Sequence, residues 1–350
     1  MTPISEKSAS QAEVRFQGRK PIQKLSRIFS FKSQNSFDGS ENASPEDKFG
    51  LFEFHPESPE CCIDVIAVHG LGGHHERTWT WNPVGSTGEK PCVWLRDLLP
   101  SEIPNARILS FGYSSAVAFS KSIGDISTFA EQLLSLTLRE RASENQRSRP
   151  VVFVAHSLGG IVVKKALEYA QQRRDQRPEC LELLKSIKGI LFMGTPHGGS
   201  NSALYGGMCA DMLKAACLGT RTNSALIKEL KQGSRTLFEI SKNFPYLGAH
   251  VSIYSFIETD RMDFLSQVIV TEKSARLNLV NEDVYHLNAN HSTLSRDLIS
   301  EDLSTLDFWH RILKNAAIIL FPEVPKVLLG FMKVPNSING SEVTPRSFDC

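Results

Sequence analysis

The stretch Val151-Val-Phe-Val-Ala-His-Ser-Leu-Gly-Gly160 constrains this chain more than any other part of it. Five consecutive apolar residues, three of them β-branched, read as a buried strand. The run meets His156-Ser157-Leu158-Gly159, and a helical pattern begins at once, with Leu158, Val162, Ala166 and Tyr169 on one face. A serine on a tight strand-to-helix turn is a nucleophile elbow, in which small residues two before and two after let the helix close on the strand. Those positions hold Ala155 and Gly159. The usual pattern has glycine at both, and the single methyl of Ala155 is the smallest departure, one that the elbow should survive. The free N–H groups of the helix N-terminus then face the serine and favour negative charge developing there.

The rest of the chain repeats the alternation of strand and helix. Strands are expected at Phe49–His55, Cys62–His69, Ala106–Phe111, Val151–Ala155, Ile187–Met193 and Val251–Ile257. Helices are expected at Val93–Leu99, Ser122–Arg141, Leu158–Gln171 and Leu303–Leu313. That order implies an α/β fold, a mostly parallel sheet with helices on both faces. Between two of the strands, residues 201–247 carry helical spacing at Ala203–Cys217 and Leu226–Leu237, more than one crossover helix requires, so a helical cap or lid insertion is expected. The folded domain is placed at 48–320, after a basic, disordered tail over 1–47 and before an irregular C-terminal tail over 321–350. The first 36 residues hold seven basic and two acidic side chains, a net +5.

Charge and cysteine usage narrow the function classes. The whole chain of 350 residues carries a formal charge of +1, unlike the basic excess of a nucleic-acid binder, so no nucleic-acid partner is expected. No run approaches the roughly 18 apolar residues of a spanning helix, and MTPISEKSASQAEV has no apolar h-region of a secretory signal. Seven cysteines, an odd number without a C-x-x-C pair, suggest neither a disulfide framework nor a zinc site. An intracellular, cytoplasmic protein is therefore expected. The basic tail leaves a mitochondrial transit segment or peripheral membrane contact as alternatives.

A serine nucleophile needs oxyanion donors, a base and an acid. The glycine-rich His69-Gly70-Leu71-Gly72-Gly73-His74 follows an early strand and suits the first need, with the Leu71 and Leu158 amides as the expected donors. A dinucleotide loop is excluded there because the sixth position is His75 rather than glycine or alanine. The late histidines are His286, His291 and His310. His291, in the polar loop Asn288-Ala-Asn-His-Ser-Thr-Leu294, is the favoured base, with His286 in the same loop as the alternative. The acid should follow the strand Val251–Ile257, which makes Glu258 the first choice and Asp260 the alternative. His69 and His156 are read as pocket-wall groups, His197 as a residue holding its own loop, Trp79 and Trp81 as either pocket wall or core, and Lys164-Lys165 as a solvated helix face. No metal or organic cofactor is required.

Four strings, HGLGGHHERTW, AHSLGGIVVKKAL, LFMGTPHGGS and NANHSTLSR, occur in this order, and the resemblance they carry extends over about residues 50–315. In them the chain resembles the serine esterase/lipase branch of the α/β-hydrolases, related to GPI-inositol deacylases and triacylglycerol lipases. That branch includes fungal proteins in which such a domain precedes nucleotide-binding and repeat modules. The resemblance implies an α/β-hydrolase fold, Ser157 as nucleophile, His291 as base and oxyanion amides near Leu71 and Leu158. It does not decide between Glu258 and Asp260. The expected activity is hydrolysis of a carboxylic ester, lipid esters included, through an acyl-enzyme on Ser157. The alternatives are a catalytically silent signalling or interaction module and a biosynthetic acyltransferase or thioesterase.

Overall fold

The computed structural model describes residues 49–83, 90–114, 124–198, 202–216 and 235–296. The tails at 1–47 and 321–350, the helix Leu303–Leu313 with His310, and most of Leu226–Leu237 lie outside these residues. The described strands are β1 Gly50–His55, β2 Ile63–Val68, β3 Thr80–Trp81, β4 Cys92–Val93, β5 Ala106–Gly112, β6 Val151–His156, β7 Ile187–Met193, β8 Ser252–Glu258 and β9 Glu282–Leu287. The helices are α1 Trp94–Asp97, α2 Leu99–Glu102, α3 Gly124–Glu140, α4 Glu144–Ser148, α5 Gly159–Arg173, α6 Pro178–Ser186, α7 Ser202–Ala216, α8 over 235–243, α9 Pro245–Gly248 and α10 Glu272–Ala275.

Seven strands form one sheet in the order β1-β5-β2-β6-β7-β8-β9, and β3 with β4 makes a separate two-stranded ribbon. Only the β1–β5 pair of the large sheet is antiparallel. The apolar runs explain the architecture. All six residues of β2 are buried, and alternate side chains serve different faces: Ile66 and Val68 join one core, Ile63, Val65 and Ala67 the other. β6 divides in the same way, Val151, Phe153 and Ala155 against Val152 and Val154. A strand buried on both faces needs helices on both. The first core is closed by Ile126, Ala130 and Leu133 of α3 and Ile161 and Val162 of α5, the second by Trp94 and Leu95 of α1 and Leu99 of α2. The expected fold class therefore holds.

Two features depart from the sequence reading. Lys164 is not on a solvated face: it is 1% exposed. Its Nζ lies 2.5 Å from His197 Nδ1 and 5.3 Å from the ring centres of both Phe192 and Phe244. Burial pushes its amine well below the usual lysine range. Lys165 alone faces outward, paired with Glu168 at 3.2 Å. The edge strand β9 was not expected, because its residues alternate only between half-buried and exposed positions and never form an apolar run. Within 201–247, the helix α7 appears where Ala203–Cys217 predicted one, and Tyr205, Cys209, Met212 and Leu213 are part of the first core. Tyr205 ties this helix to the loop after β7, donating its hydroxyl to Pro196 O at 3.0 Å.

One charge in β2 also requires compensation. Asp64 is fully buried and accepts from Arg107 Nε at 3.0 Å, Arg149 Nη1 at 3.0 Å and Arg141. Arg107 and Arg149 also reach the exposed Glu57, which extends the cluster from the buried Asp64 to the surface across the starts of β2, β5 and β6. Removing one partner of such a cluster leaves an uncompensated charge in low dielectric.

Candidate active site

The sheet order puts its topological switch between β2 and β6. The chain runs from β2 outward to β5, then crosses back to β6 on the other side. Loops leaving the C-terminal ends of neighbouring strands diverge at such a point and open a crevice. His69–Gly73 leaves β2 there, and Ser157 leaves β6.

Ser157 has φ of 55°, a left-handed conformation that is strained for a residue with a side chain. Its N–H donates to Met193 O at 2.8 Å, continuing the ladder with β7, and its carbonyl accepts from Thr195 Oγ1 at 3.0 Å. The turn closes only because Gly159 lacks a side chain: a Cβ there would collide with the carbonyl oxygens of Val68 and His69. Gly70 meets the same requirement from the other side, since a Cβ on it would lie 2.6 Å from Ser157 Cβ. The two glycines press the β2 loop, the serine and the start of α5 together.

His291 and Glu258 join Ser157. His291 Nε2 is 2.8 Å from Ser157 Oγ, and His291 Nδ1 is 2.5 Å from Glu258 Oε2. All three residues are buried. With Glu258 accepting the Nδ1 proton, Nε2 is left to accept from the serine hydroxyl. Glu258 is the last residue of β8, and its Oε1 also accepts from the N–H groups of Ile269 at 2.6 Å and Val270 at 2.9 Å. Asp260 is exposed, in contact with Thr259 Oγ1, and does not reach His291. His286 is not in the His291 loop but on β9, with a side chain 51% exposed and 3.4 Å from Glu272.

Several positioning contacts had no sequence signal. His156 Nε2 lies 2.9 Å from His291 O, so the residue before the serine grips the histidine loop. Asn290 Oδ1 accepts from the N–H groups of Ser292 and Thr293, folding that loop into a tight turn. Ser295 ties it to the β2 loop: its hydroxyl donates to Thr78 O at 2.9 Å, and its carbonyl accepts from Trp94 Nε1 at 2.9 Å. Trp79 is core rather than pocket wall, buried with its indole N–H on Ser110 Oγ. His69 is likewise no pocket wall, being buried with both ring nitrogens engaged.

Leu158 caps α5, so its N–H is among the orphan donors of a helix start. Gly70-Leu71-Gly72-Gly73 closes a tight turn: Gly73 N–H donates to Gly70 O at 3.1 Å, and Gly72 at the third position has a left-handed φ of 67°. The turn requires that glycine.

Burial pushes the imidazoles of His69 and His156 down from 6.5 to about 3, and pushes His197 well below its ordinary value. The sign follows. Above pH about 6.5 these groups are neutral in both folded and unfolded chains. Between there and about 3 only the unfolded chain takes up the protons, so stability falls as pH falls. The urea midpoint is therefore expected to drop between pH 7 and pH 4.5, and to drop less in His156→Asn.

With the geometry in place, comparison with known proteins is informative. Residues 65–242 match a family described as "Putative serine esterase (DUF676)". The chain belongs to this family. It is an α/β-hydrolase and esterase-like. It is also similar to Protein SERAC1 of Danio rerio, 29% identical over 262 residues, and to Protein SERAC1 of Homo sapiens, 26% identical over 260. Each match covers 68% of this chain and 38% of the relative, so the chain spans little more than a third of those proteins. Among solved structures, a Bacillus licheniformis lipase in mature form is 18% identical with a TM-score of 0.45, covering 74% of this chain and 96% of that one. A hydrolase from Oleispira antarctica is 13% identical with a TM-score of 0.40, covering 76% and 95%. No helix among the described residues is long and apolar enough to cross a membrane.

Proposed function

We propose that this family member hydrolyses a carboxylic ester through an acyl-enzyme on Ser157. The observation that carries the reading is the buried hydrogen-bonded chain from Ser157 Oγ through His291 to Glu258. In this scheme Ser157 Oγ attacks the acyl carbon while His291 Nε2 takes its proton. The carbonyl oxygen becomes an oxyanion held by the Leu71 and Leu158 amides. Collapse of the tetrahedral intermediate expels the alcohol, which takes the proton from His291. Water then attacks the acyl carbon by the same route, releasing the acid and restoring Ser157. Glu258 orients the imidazole and stabilises its charged form.

The substrate we favour has a hydrophobic acyl chain, such as a lipid ester. Residues 201–247, inserted in the sequence between β7 and β8, exceed what one crossover helix needs, and that excess motivates the hydrophobic substrate. Each methylene removed from water contributes about 0.8 kcal/mol. If that energy is used in the transition state, kcat/KM rises by up to roughly fourfold per CH2 along a p-nitrophenyl ester series until the pocket is full. Medium or long chains are expected to exceed acetate clearly. A series that peaks at acetate would reject the lipid-like substrate and leave a short-chain esterase.

A further inference from the structure

We propose that Cys61 and Cys62 form a peroxide-sensitive vicinal dithiol, a modification site at which Cys61 is oxidised first and Cys62 then closes a reversible disulfide onto it. The site is independent of the esterase reading. The pair precedes β2, at the end of the parallel β2–β6 pair opposite to the one from which Ser157 leaves β6.

Accessibility singles the two residues out. Among the described cysteines, Cys92, Cys180 and Cys209 are buried, whereas Cys61 and Cys62 are each half-buried. An oxidant can therefore meet these two thiols without opening the core. Both backbones are held. Cys61 N–H donates to Ser58 O at 3.0 Å, closing a turn, and Cys62 N–H donates to Asn105 O at 2.9 Å, beside the start of β5.

The two sulfurs have different surroundings. Cys61 Sγ accepts from the Ser58 N–H at 3.2 Å and from the Ser58 hydroxyl at 3.6 Å. Two donors facing one sulfur suit it to carry the negative charge of an attacking thiolate. As a thiol, Cys61 has only a distant acceptor, Pro56 O at 3.9 Å. Cys62 Sγ instead donates to Asn105 O at 3.6 Å, and burial pushes this thiol above its ordinary value. Cys62 is thus held in the thiol form, as the resolving partner rather than the first nucleophile.

The chemistry balances with hydrogen peroxide as the oxidant. The Cys61 thiolate attacks one peroxide oxygen and the O–O bond breaks. The other oxygen leaves as hydroxide and takes the proton that the thiol had released, so Cys61 becomes a sulfenic acid and water is formed. Cys62 Sγ then attacks the sulfenic sulfur. The S–O bond breaks, and the departing hydroxide leaves as water with the Cys62 proton. Consecutive Cα atoms lie about 3.8 Å apart, less than the roughly 4.4–6.8 Å usual across a disulfide. The bond is therefore strained and readily reduced, which suits a reversible mark rather than a structural bridge.

The wild-type protein supplies the first test. No lysine or arginine lies between Lys48 and Arg77, so trypsin releases residues 49–77 with Cys61 and Cys62 as their only cysteines. Hydrogen peroxide is raised to the level at which a buried cysteine first reacts, and free thiols are then alkylated. This peptide is expected two hydrogens lighter and unalkylated, and doubly alkylated again after treatment with reduced glutathione. A peptide that stays doubly alkylated at that level overturns the proposal. So does one cross-linked to another peptide, or one with sulfinic acid on one cysteine beside an alkylated other. Single substitutions test the order of events. In Cys62→Ser, dimedone should capture a sulfenic acid on Cys61 about tenfold faster than it labels Cys62 in Cys61→Ser, since only Cys61 has the donors that favour the thiolate. Equal rates, or faster capture at Cys62, would overturn the assignment of Cys61 as the site of attack. Should either variant fail to fold, the wild-type peptide alone decides.

Discussion

Ser157→Ala is expected to abolish fluorophosphonate labelling and to lower kcat on any accepted ester by on the order of 10⁶. Loss of a nucleophile removes the covalent route altogether, and what remains is direct attack by water on an acyl carbon whose carbonyl oxygen the oxyanion donors stabilise. The native fold should persist. Among the described residues Ser157 Oγ hydrogen-bonds His291 alone, whereas the elbow is held by backbone contacts of Ser157 to Met193 and Thr195 that alanine retains. Alanine does inherit the φ of 55°, so strain remains in the variant. Far-UV circular dichroism and a thermal melt close to wild type, with labelling gone, would support the nucleophile assignment. Labelling at undiminished intensity in the variant would reject it. A wild-type protein that takes up no label at all would favour the silent-module alternative. Labelling with acyl transfer to an added alcohol or thiol in preference to water would favour an acyltransferase.

How much of this was legible beforehand depends on which physical signal each element carries. β2 and β6 are buried on both faces, so they are written as continuous apolar runs and were bounded within a residue or two. β9 is an edge strand whose residues are all half-buried or exposed, and EDVYHL has no such run. Missing it placed His286 in the wrong kind of element, next to His291 in a loop rather than on an exposed strand. Ser157 was readable because an elbow needs local residues only. Glu258 and His291 were readable as ranked candidates because chain order and strand ends narrow the choice. The contacts among them were not readable, being 134 and 33 residues apart in sequence. Lys164 shows the limit in another way: two adjacent lysines on a helix suggest water, and only the three-dimensional neighbourhood of His197, Phe192 and Phe244 reveals that one of them is enclosed.

Glu258→Gln is expected to lower kcat by roughly 10⁴, the scale of an acid-to-amide change in a Ser-His-acid site. The geometry says why the loss should be large. Glu258 Oε2 accepts the His291 Nδ1 proton at 2.5 Å, and Oε1 accepts two backbone N–H groups, from Ile269 and Val270. An amide has one acceptor oxygen and one donor nitrogen. If the oxygen keeps the two backbone donors, the NH2 faces His291 and forces Nδ1 to accept, which puts the imidazole proton on Nε2. That tautomer cannot take the Ser157 proton. If the amide turns the other way, its NH2 meets two N–H donors in a buried site, at a cost of about 1–3 kcal/mol for each polar group left unpaired. The first arrangement predicts an inactive but stable variant, the second a partly active and destabilised one. A loss near 10⁴ in kcat with a melting temperature within a few degrees of wild type would identify the first. Asp260→Asn is the control: its carboxylate is exposed and touches Thr259, so turnover should change little. Strong loss in Asp260→Asn beside an active Glu258→Gln would move the acid role to Asp260, and with it the assumption that His291 takes its orientation from the last residue of β8.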